Sequence, residues 1–315
     1  MFSVIIPLFN KSKYIKRAID SVLEQKFQEF EIIVINDGST DGGENEVLRY
    51  FANKVKLLSQ PNRGVSSARN EGIKNATFDY LAFLDADDYW HPDYLSAVRQ
   101  VLIENPTVGI IGTKYDSIKL EDGKSIKYHH LTNYFKIAPI NIMFFTSGTV
   151  LKKEFFDKNP GFDERLKLGE DVDVWLRSSL YYGDGIYISN KLVFYGQDDS
   201  QRATQKQYLI EETVFSKLIE ENYFENSAES SKVSKKDFNK FISKYLYFNL
   251  FNFYTLKENI QRINRILIQI PNNFFLMSFP YKFPDSVLKK IFDSDWIKFH
   301  FRNYLKFCVR YIYKN

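Results

Sequence analysis

Apolar residues along the first hundred positions alternate between two periods. "SVIIPLF" is a short β-branched run, and "KSKYIKRAIDSVLEQ" after it sets Tyr14, Ile15, Ala18, Ile19, Val22 and Leu23 on one helical face, with Ser12 as N-cap. "EIIVIND" is a second buried strand, and "GENEVLRYFANK" is helical through Val47, Leu48 and Phe51. "VKLLSQ" follows as a third strand, Val65, Ala68, Gly72, Ile73 and Ala76 mark a third helix, and "YLAFLD" is a fourth strand. Strands that are apolar on both faces and alternate with helices predict an α/β fold with a parallel, doubly wound sheet.

In such sheets ligands bind beyond the carboxyl ends of the strands. The polar clusters fall there: Asn10 after the first strand, "NDGSTDG" after the second, "PNRG" after the third and "DADD" after the fourth. Past residue 114 the pattern changes. "YDSIKLEDGKSIKYHH" reads as a hairpin turning at Asp122-Gly123, "FTSGTVLKK" as a strand, "GEDVDVWLRSSLYY" as a helix and "IYISNKLVFY" as a last strand. From about residue 207 to 315 the chain is helical, aromatic and lysine-rich. The expected division is therefore 1–206 for an α/β domain and 207–315 for a C-terminal extension.

Composition narrows the classes. A chain of 315 residues, 44% hydrophobic and 26% charged, can bury a sizeable core. The lone Cys308 excludes an internal disulfide, and no Cys/His spacing suits zinc. The start "MFSVIIPLFN" has no basic leader, and no apolar run reaches the roughly 18 residues of a spanning helix. The expectation is a cytoplasmic protein. The net charge of +4 is concentrated at one end: residues 286–315 carry seven Lys or Arg against two Asp, a tail of +5 that leaves −1 for the remainder. Such a tail is either a helix docked on the α/β domain with its lysines in water or an anchor on an anionic membrane surface, and no nucleic-acid partner is expected.

The acidic clusters admit two readings each. In "DADD", Asp85, Asp87 and Asp88 crowd like charges, which suits a divalent cation such as Mg²⁺ or Mn²⁺ shared with a diphosphate, or else makes an acidic turn capping the helix near Pro92. "NDGSTDG" offers Asp37 at a strand end among small residues, or a plain turn. "PNRGVSSARN" brings Arg63 and Arg69 to a helix N-terminus suited to phosphate. Glu170, Asp171 and Asp173 in "LGEDVDVWLR" either offset a helix dipole or aim a general base into a cleft.

Read in order, "VIIPLFN", "IIVINDGSTDG", "NRGVSSARNEGI", "LAFLDADD" and "GEDVDVWLR" resemble the family-two glycosyltransferases of GT-A fold over residues 2–200. The resemblance implies that Pro7 and Asn10 lie in the first nucleotide loop, that Asp37 bonds the base, usually uracil, and that Arg69 lies beside the nucleotide. It implies that Asp85 faces the ribose or the metal sphere, that Asp87 ligates Mn²⁺ or Mg²⁺ with Asp88 as helper, and that Asp171 is the catalytic base with Glu170 beside it. The implied chemistry is inverting transfer from a UDP-sugar to a glycan or lipid-linked glycan in bacterial surface polysaccharide synthesis, capsule or lipopolysaccharide. Separately from the resemblance, residues 286–315 leave two placements open for a cytoplasmic protein: free in the cytoplasm, or peripheral on the inner face of the cytoplasmic membrane. Gln197 stands near the place where many relatives have a histidine, and Asp198, Asp199 and Arg202 are close by.

Two other classes touch part of the pattern. "DADDY" is similar to the haloacid-dehalogenase phosphatase motif, but Tyr89 replaces the usual Thr or Val and the upstream loops go unexplained. A catalytically silent nucleotide- or carbohydrate-binding protein would have little reason to keep Asp37, Asp85, Asp87 and Asp171 together.

Overall fold

The computed structural model describes residues 1–183, 185–196, 206–227 and 233–314. In chain order its first elements are β1 (Phe2–Leu8), α1 (Ser12–Leu23), β2 (Phe30–Asp37), α2 (Gly43–Phe51), β3 (Lys56–Gln60), α3 (Val65–Asn75), β4 (Tyr80–Phe83) and β5 (Tyr89–Trp90). There follow α4 (Tyr94–Glu104), β6 (Ile110–Asp116), β7 (Tyr128–His130), α5 (Tyr134–Ile137), β8 (Thr149–Lys152), α6 (Glu154–Lys158), α7 (Glu170–Tyr182) and β9 (Ile186–Phe194). The chain divides into two compact units: Met1–Thr132, Met143–Glu164 and Asp171–Gln201 form one, and Asn133–Ile142, Arg165–Glu170 and Arg202–Asn315 the other.

The first unit is built on a sheet in the order β3-β2-β1-β4-β8-β6-β9-β5, with β7 paired to β9. The strands β1 to β4 are mutually parallel where they touch, as the alternation of periods requires. Beyond them the sheet is mixed: β8 runs antiparallel to both β4 and β6, while β6 and β9 are parallel. Phe2, Val4, Ile6 and Leu8 of β1 join Ile15, Ala18, Ile19 and Val22 of α1 and Val47 and Phe51 of α2 in one buried cluster. Ile5 lies on the opposite face against Gly72 of α3, so β1 is buried on both sides. Full burial of each such side chain is worth about 1.5–3 kcal/mol, which is why the central strands read as unbroken apolar runs.

Three sequence expectations are corrected. Ser12 is the first residue of α1 rather than its cap; its backbone N–H donates to Asp41 Oδ2 at 2.8 Å, and Lys11 holds the cap position. Leu48 is exposed, while Val47 and Phe51 carry the packing of α2. The hairpin at Asp122-Gly123 does not form. Asp116 ends β6 by accepting the Ile118 N–H at 2.7 Å, Gly123 donates its N–H to Asp93 Oδ2 at 2.9 Å, and β7 pairs with β9 instead of β6.

The second unit is helical and aromatic. Its larger helices are Lys235–Asn249, Lys257–Gln269, Asp285–Phe292 and Asp295–Phe307, the last continued by a π-turn over Cys308–Ile312. Phe238 and Phe241 each meet Phe135 of α5 at a ring separation of 5.2 Å, and Tyr254 and Phe301 pack against Phe292 in tilted pairs at 5.5 and 5.1 Å. Aromatic pairs at such separations contribute beyond their buried area, and they add to a core that also buries Ile242, Leu246, Ile263 and Leu305.

Candidate active site

The carboxyl ends of β1, β2 and β4 bring the predicted residues into the first unit's loop cluster. Pro7 is tolerated in a central strand because of register. The Ile5 carbonyl accepts the Leu84 N–H at 3.0 Å, so odd positions of β1 face β4, and β4 pairs with β1 only as far as Phe83. At Pro7 the ladder on that side has ended, and no N–H is missed. Asn10 follows with φ of 51°, in the left-handed region that Asn tolerates. Its Oδ1 accepts the Thr40 N–H at 2.8 Å and its own N–H donates to Ser39 Oγ at 3.2 Å, which ties the loop after β1 to the loop after β2.

Asp37 is buried at the end of β2. Its Oδ1 accepts from Gln60 Nε2 at 2.7 Å and the Arg63 N–H at 2.9 Å, and its Oδ2 accepts the Gly64 N–H at 2.8 Å. The carboxylate thus gathers the "PNRG" loop beneath it. Gly38, with φ of +72°, passes so close to Asn62 that a Cβ would stand 2.7 Å from its backbone nitrogen. Arg63 itself bonds Gln60 Oε1 at 2.9 Å on the surface.

The three aspartates of "DADD" have three different partners. Asp85 accepts from Arg69 Nη2 at 2.8 Å; this guanidinium is buried on α3 and lies 5.2 Å from the Phe162 ring. Asp87 pairs with Lys11 Nζ at 2.6 Å, and its backbone carbonyl accepts from Arg17 Nη2 at 2.7 Å. Asp88 is buried, accepting from the Ser147 hydroxyl and from the Gly196 N–H at 2.8 Å. Burial pushes the Asp88 carboxyl well above the usual range, and the neighbouring Asp85 adds to the shift. None of the three caps α4, which begins at Tyr94 behind Asp93. The acidic turn is therefore not a helix cap, and Asp88 is a brace between loops. The close approach it secures needs a glycine, since a Cβ on Gly196 would meet the Asp87 carbonyl oxygen at 2.3 Å.

At the start of α7 the acids separate by role. Asp173 is fully buried and held by Arg177 Nη2 at 2.8 Å; the same nitrogen donates to the Gly161 carbonyl at 2.8 Å, and Nη1 donates to the Pro160 carbonyl at 2.7 Å. That is a structural clamp. Asp171 is half-buried, with Oδ2 accepting from Thr146 Oγ1 at 2.9 Å and Oδ1 from the Val172 N–H at 2.7 Å. A neutral hydroxyl orients it, and among the described residues no Lys or Arg stands at ion-pair distance from it. Glu170 opens the same helix and is counted with the second unit.

Residues that the sequence did not single out complete the cluster. Ser147 Oγ accepts the Asp85 N–H at 3.0 Å while donating to Asp88, fixing two aspartates with one hydroxyl. Thr146 orients Asp171. Lys11 and Arg17 meet Asp87. A signal for Lys11 did exist: a cation at a helix N-terminus opposes the macrodipole and calls for a partner from elsewhere. Gln197, Asp198, Asp199 and Arg202 lie outside the described residues.

Asp85 and Asp87 are hard oxygen donors of the kind Mg²⁺ or Mn²⁺ takes, and they fit a cation whose other ligands come from a diphosphate. Alone they are not a full shell: among the described residues no three His, Cys, Asp or Glu side chains stand together to hold a metal.

A mainly parallel mixed sheet with acidic and basic loops at its carboxyl edge, followed by helices, is the GT-A fold of a glycosyltransferase, and the solved structures agree. The chain superposes on S. aureus TarS in complex with UDP-GlcNAc with a TM-score of 0.72 at 17% identity, covering 98% of this chain and 91% of that one. It superposes on a mannosyltransferase of Pyrobaculum calidifontis, in complex with GDP-Man and Mn²⁺, with a TM-score of 0.53 at 17% identity over 97% and 84% of the two chains. Residues 3–159 match the family model described as Glycosyl transferase family 2, and this part of the chain belongs to that family. An uncharacterized glycosyltransferase of Rickettsia felis is 29% identical over 217 residues, 64% of this chain but 35% of the relative's length.

Proposed function

We propose that the protein is an inverting, metal-dependent hexosyltransferase that uses a UDP-sugar to extend a glycan or lipid-linked glycan of a bacterial surface polysaccharide. The observation that carries this reading is the convergence of Asn10, Asp37, Asp85 and Asp87 at the ends of neighbouring parallel strands, with Asp171 oriented by Thr146 and facing no Lys or Arg at ion-pair distance among the described residues. UDP-GlcNAc in the TarS complex supports a uridine donor. Asp171 takes the proton from an acceptor hydroxyl as its oxygen attacks C1 of the sugar, with Glu170 beside it. Asp37 and the loop it gathers receive the base, and Arg69 keeps Asp85 oriented toward the ribose and metal sphere. A divalent cation held by Asp87 and Asp85 would supply charge stabilisation to the departing diphosphate. A single displacement inverts the anomeric centre, so a UDP-α-sugar gives a β-linked product. The experiment is a screen of UDP-, GDP- and dTDP-sugars for slow hydrolysis with Mn²⁺ or Mg²⁺. Release of UDP above background is the expected result; phosphate release from simple monoesters, with every nucleotide sugar inert, would place the protein with the phosphatases instead.

The lipid-linked acceptor and a position on an anionic membrane surface belong to the same reading and rest on the C-terminal helix. No helix among the described residues is long and apolar enough to cross a membrane. The helix Asp295–Phe307 and its π-turn bury Leu305, Cys308 and Val309 but leave Trp296 71%, Phe299 62%, Phe307 52% and Tyr311 72% exposed. Lys298, Arg302, Lys306, Arg310 and Lys314 recur at every fourth position among them. Phe275, Phe279 and Phe283 add an exposed ladder, with successive rings 5.8 and 5.9 Å apart. Rings of this kind enter the headgroup boundary while each cation near an anionic surface adds about 1 kcal/mol. Because Phe292, Leu305 and Cys308 are buried, removing residues 286–315 would open the unit's core. The double change Trp296→Ser and Phe299→Ser touches only exposed rings. Wild type should co-sediment with phosphatidylglycerol vesicles, less so in high salt, and the double variant should lose most of that binding. Equal binding of both proteins to anionic and neutral vesicles would make the tail ordinary surface.

A further inference from the structure

Each aspartate that could serve a cation already has a partner inside the protein, and the partner of Asp87 is unusually placed. Lys11 occupies the cap position of α1, where the dipole disfavours positive charge, and its backbone is pinned on both sides. Asn10 before it bonds Thr40 and Ser39, and Ser12 after it donates to Asp41. From that fixed point Nζ reaches Asp87 Oδ2 at 2.6 Å, within a pair whose side chains are 21% and 20% exposed. Arg17, further along the same helix, bonds the Asp87 carbonyl at 2.7 Å and lies 4.8 Å from the Tyr89 ring. The aspartate loop is thus held by α1 from two points, only one of which is a carboxylate contact. A cation that takes Asp87 meets the ammonium on the same carboxylate, and repulsion between two positive charges there favours displacing the ammonium. The displaced ammonium would remain at a helix N-terminus, where its natural partner is a phosphate group.

We propose that Lys11 is the resident counter-cation of the aspartate loop: it occupies Asp87 while the protein is empty and passes to the donor's diphosphate on loading, freeing Asp87 for the metal. Metal and nucleotide then load together, and neither binds well alone. This rests on the glycosyltransferase reading and on Asp87 as a ligand. It makes Lys11 a positioning residue of that reading that no family motif in the sequence marks.

The test follows free Mn²⁺ by its solution EPR signal during titration of the full-length protein, with and without UDP. Wild type should bind Mn²⁺ at least about tenfold more weakly without UDP than with it, the ordinary scale of coupling between two ligands. Lys11→Met keeps the stem and removes the charge, so its Mn²⁺ affinity without UDP should rise about tenfold while its affinity for UDP falls. Because coupling is reciprocal, the factor by which UDP strengthens Mn²⁺ binding and the factor by which Mn²⁺ strengthens UDP binding should shrink alike in this variant. Lys11→Arg retains a cation and should hold Mn²⁺ off as wild type does. That second variant, together with the wild-type comparison, keeps the test decisive if the methionine variant folds poorly. Mn²⁺ binding to Lys11→Met no tighter than to wild type overturns the proposal. UDP bound by all three proteins with no Mn²⁺ uptake by any overturns the exchange and the metal dependence but leaves a glycosyltransferase standing; failure of both UDP and Mn²⁺ to bind overturns the two readings together.

Discussion

Asp171→Asn is expected to lower sugar transfer by about 10²–10⁴-fold while leaving affinity for the donor unchanged, because what it removes is a proton acceptor. The local structure predicts that the variant folds. Asp171 Oδ1 accepts the Val172 N–H and Oδ2 accepts the Thr146 hydroxyl. An asparagine keeps the first bond through its carbonyl oxygen and satisfies the second by donating from its amide to a rotated hydroxyl. The fold of this stretch also rests on Asp173, whose buried pair with Arg177 is untouched. Initial rates at saturating donor and acceptor, set beside calorimetric titration with UDP, separate the two effects. A collapse in UDP affinity would make Asp171 a binding residue and pass the role of base to Glu170.

The sequence carried the parallel half of the sheet because each central strand is buried on both faces, and a run such as "VIIPLF" has few other homes. It carried the convergence of the loops for the same reason: once β1 to β4 are parallel, their carboxyl ends must share an edge. What it lost was decided by contacts between residues distant along the chain. The Asp122-Gly123 pair carries a strong turn signal, yet Asp93 captures the Gly123 N–H from thirty positions away. "DADD" showed crowded charge but could not show that its members divide among Arg69, Lys11 and Ser147, since these come from the third helix, the first loop and the turn before β8. Asp171 and Asp173 look alike in "GEDVDVWLR". Only the placement of Arg177 one turn further on, under the carbonyls of Pro160 and Gly161, makes Asp173 structural. Lys11 stands close to Lys13 and Lys16 in the sequence, and although its place at the helix start calls for a partner, only the fold shows that the partner is Asp87.

Asp87→Ala should reduce transfer by at least about 10²-fold, the cost of removing one preorganised stabiliser of charge that develops on the leaving group. The loss should come with little change in stability. The pair with Lys11 is partly open to water, and such pairs contribute about 0–1 kcal/mol. The loop keeps its shape through the Arg17 bond to the Asp87 backbone carbonyl and the buried brace from Asp88 to Gly196. Thermal melting should therefore stay near wild type while activity disappears. The consequence for nucleotide binding is less intuitive. With its carboxylate gone, Lys11 no longer has to leave Asp87 to reach a phosphate, so UDP should bind without metal at least as well as it binds wild type under the same conditions. A variant that loses transfer, keeps its fold and binds UDP independently of metal would assign Asp87 to the cation and Lys11 to the diphosphate in one experiment. Turnover that persists unchanged in Asp87→Ala, and still requires metal, would move the cation to other ligands.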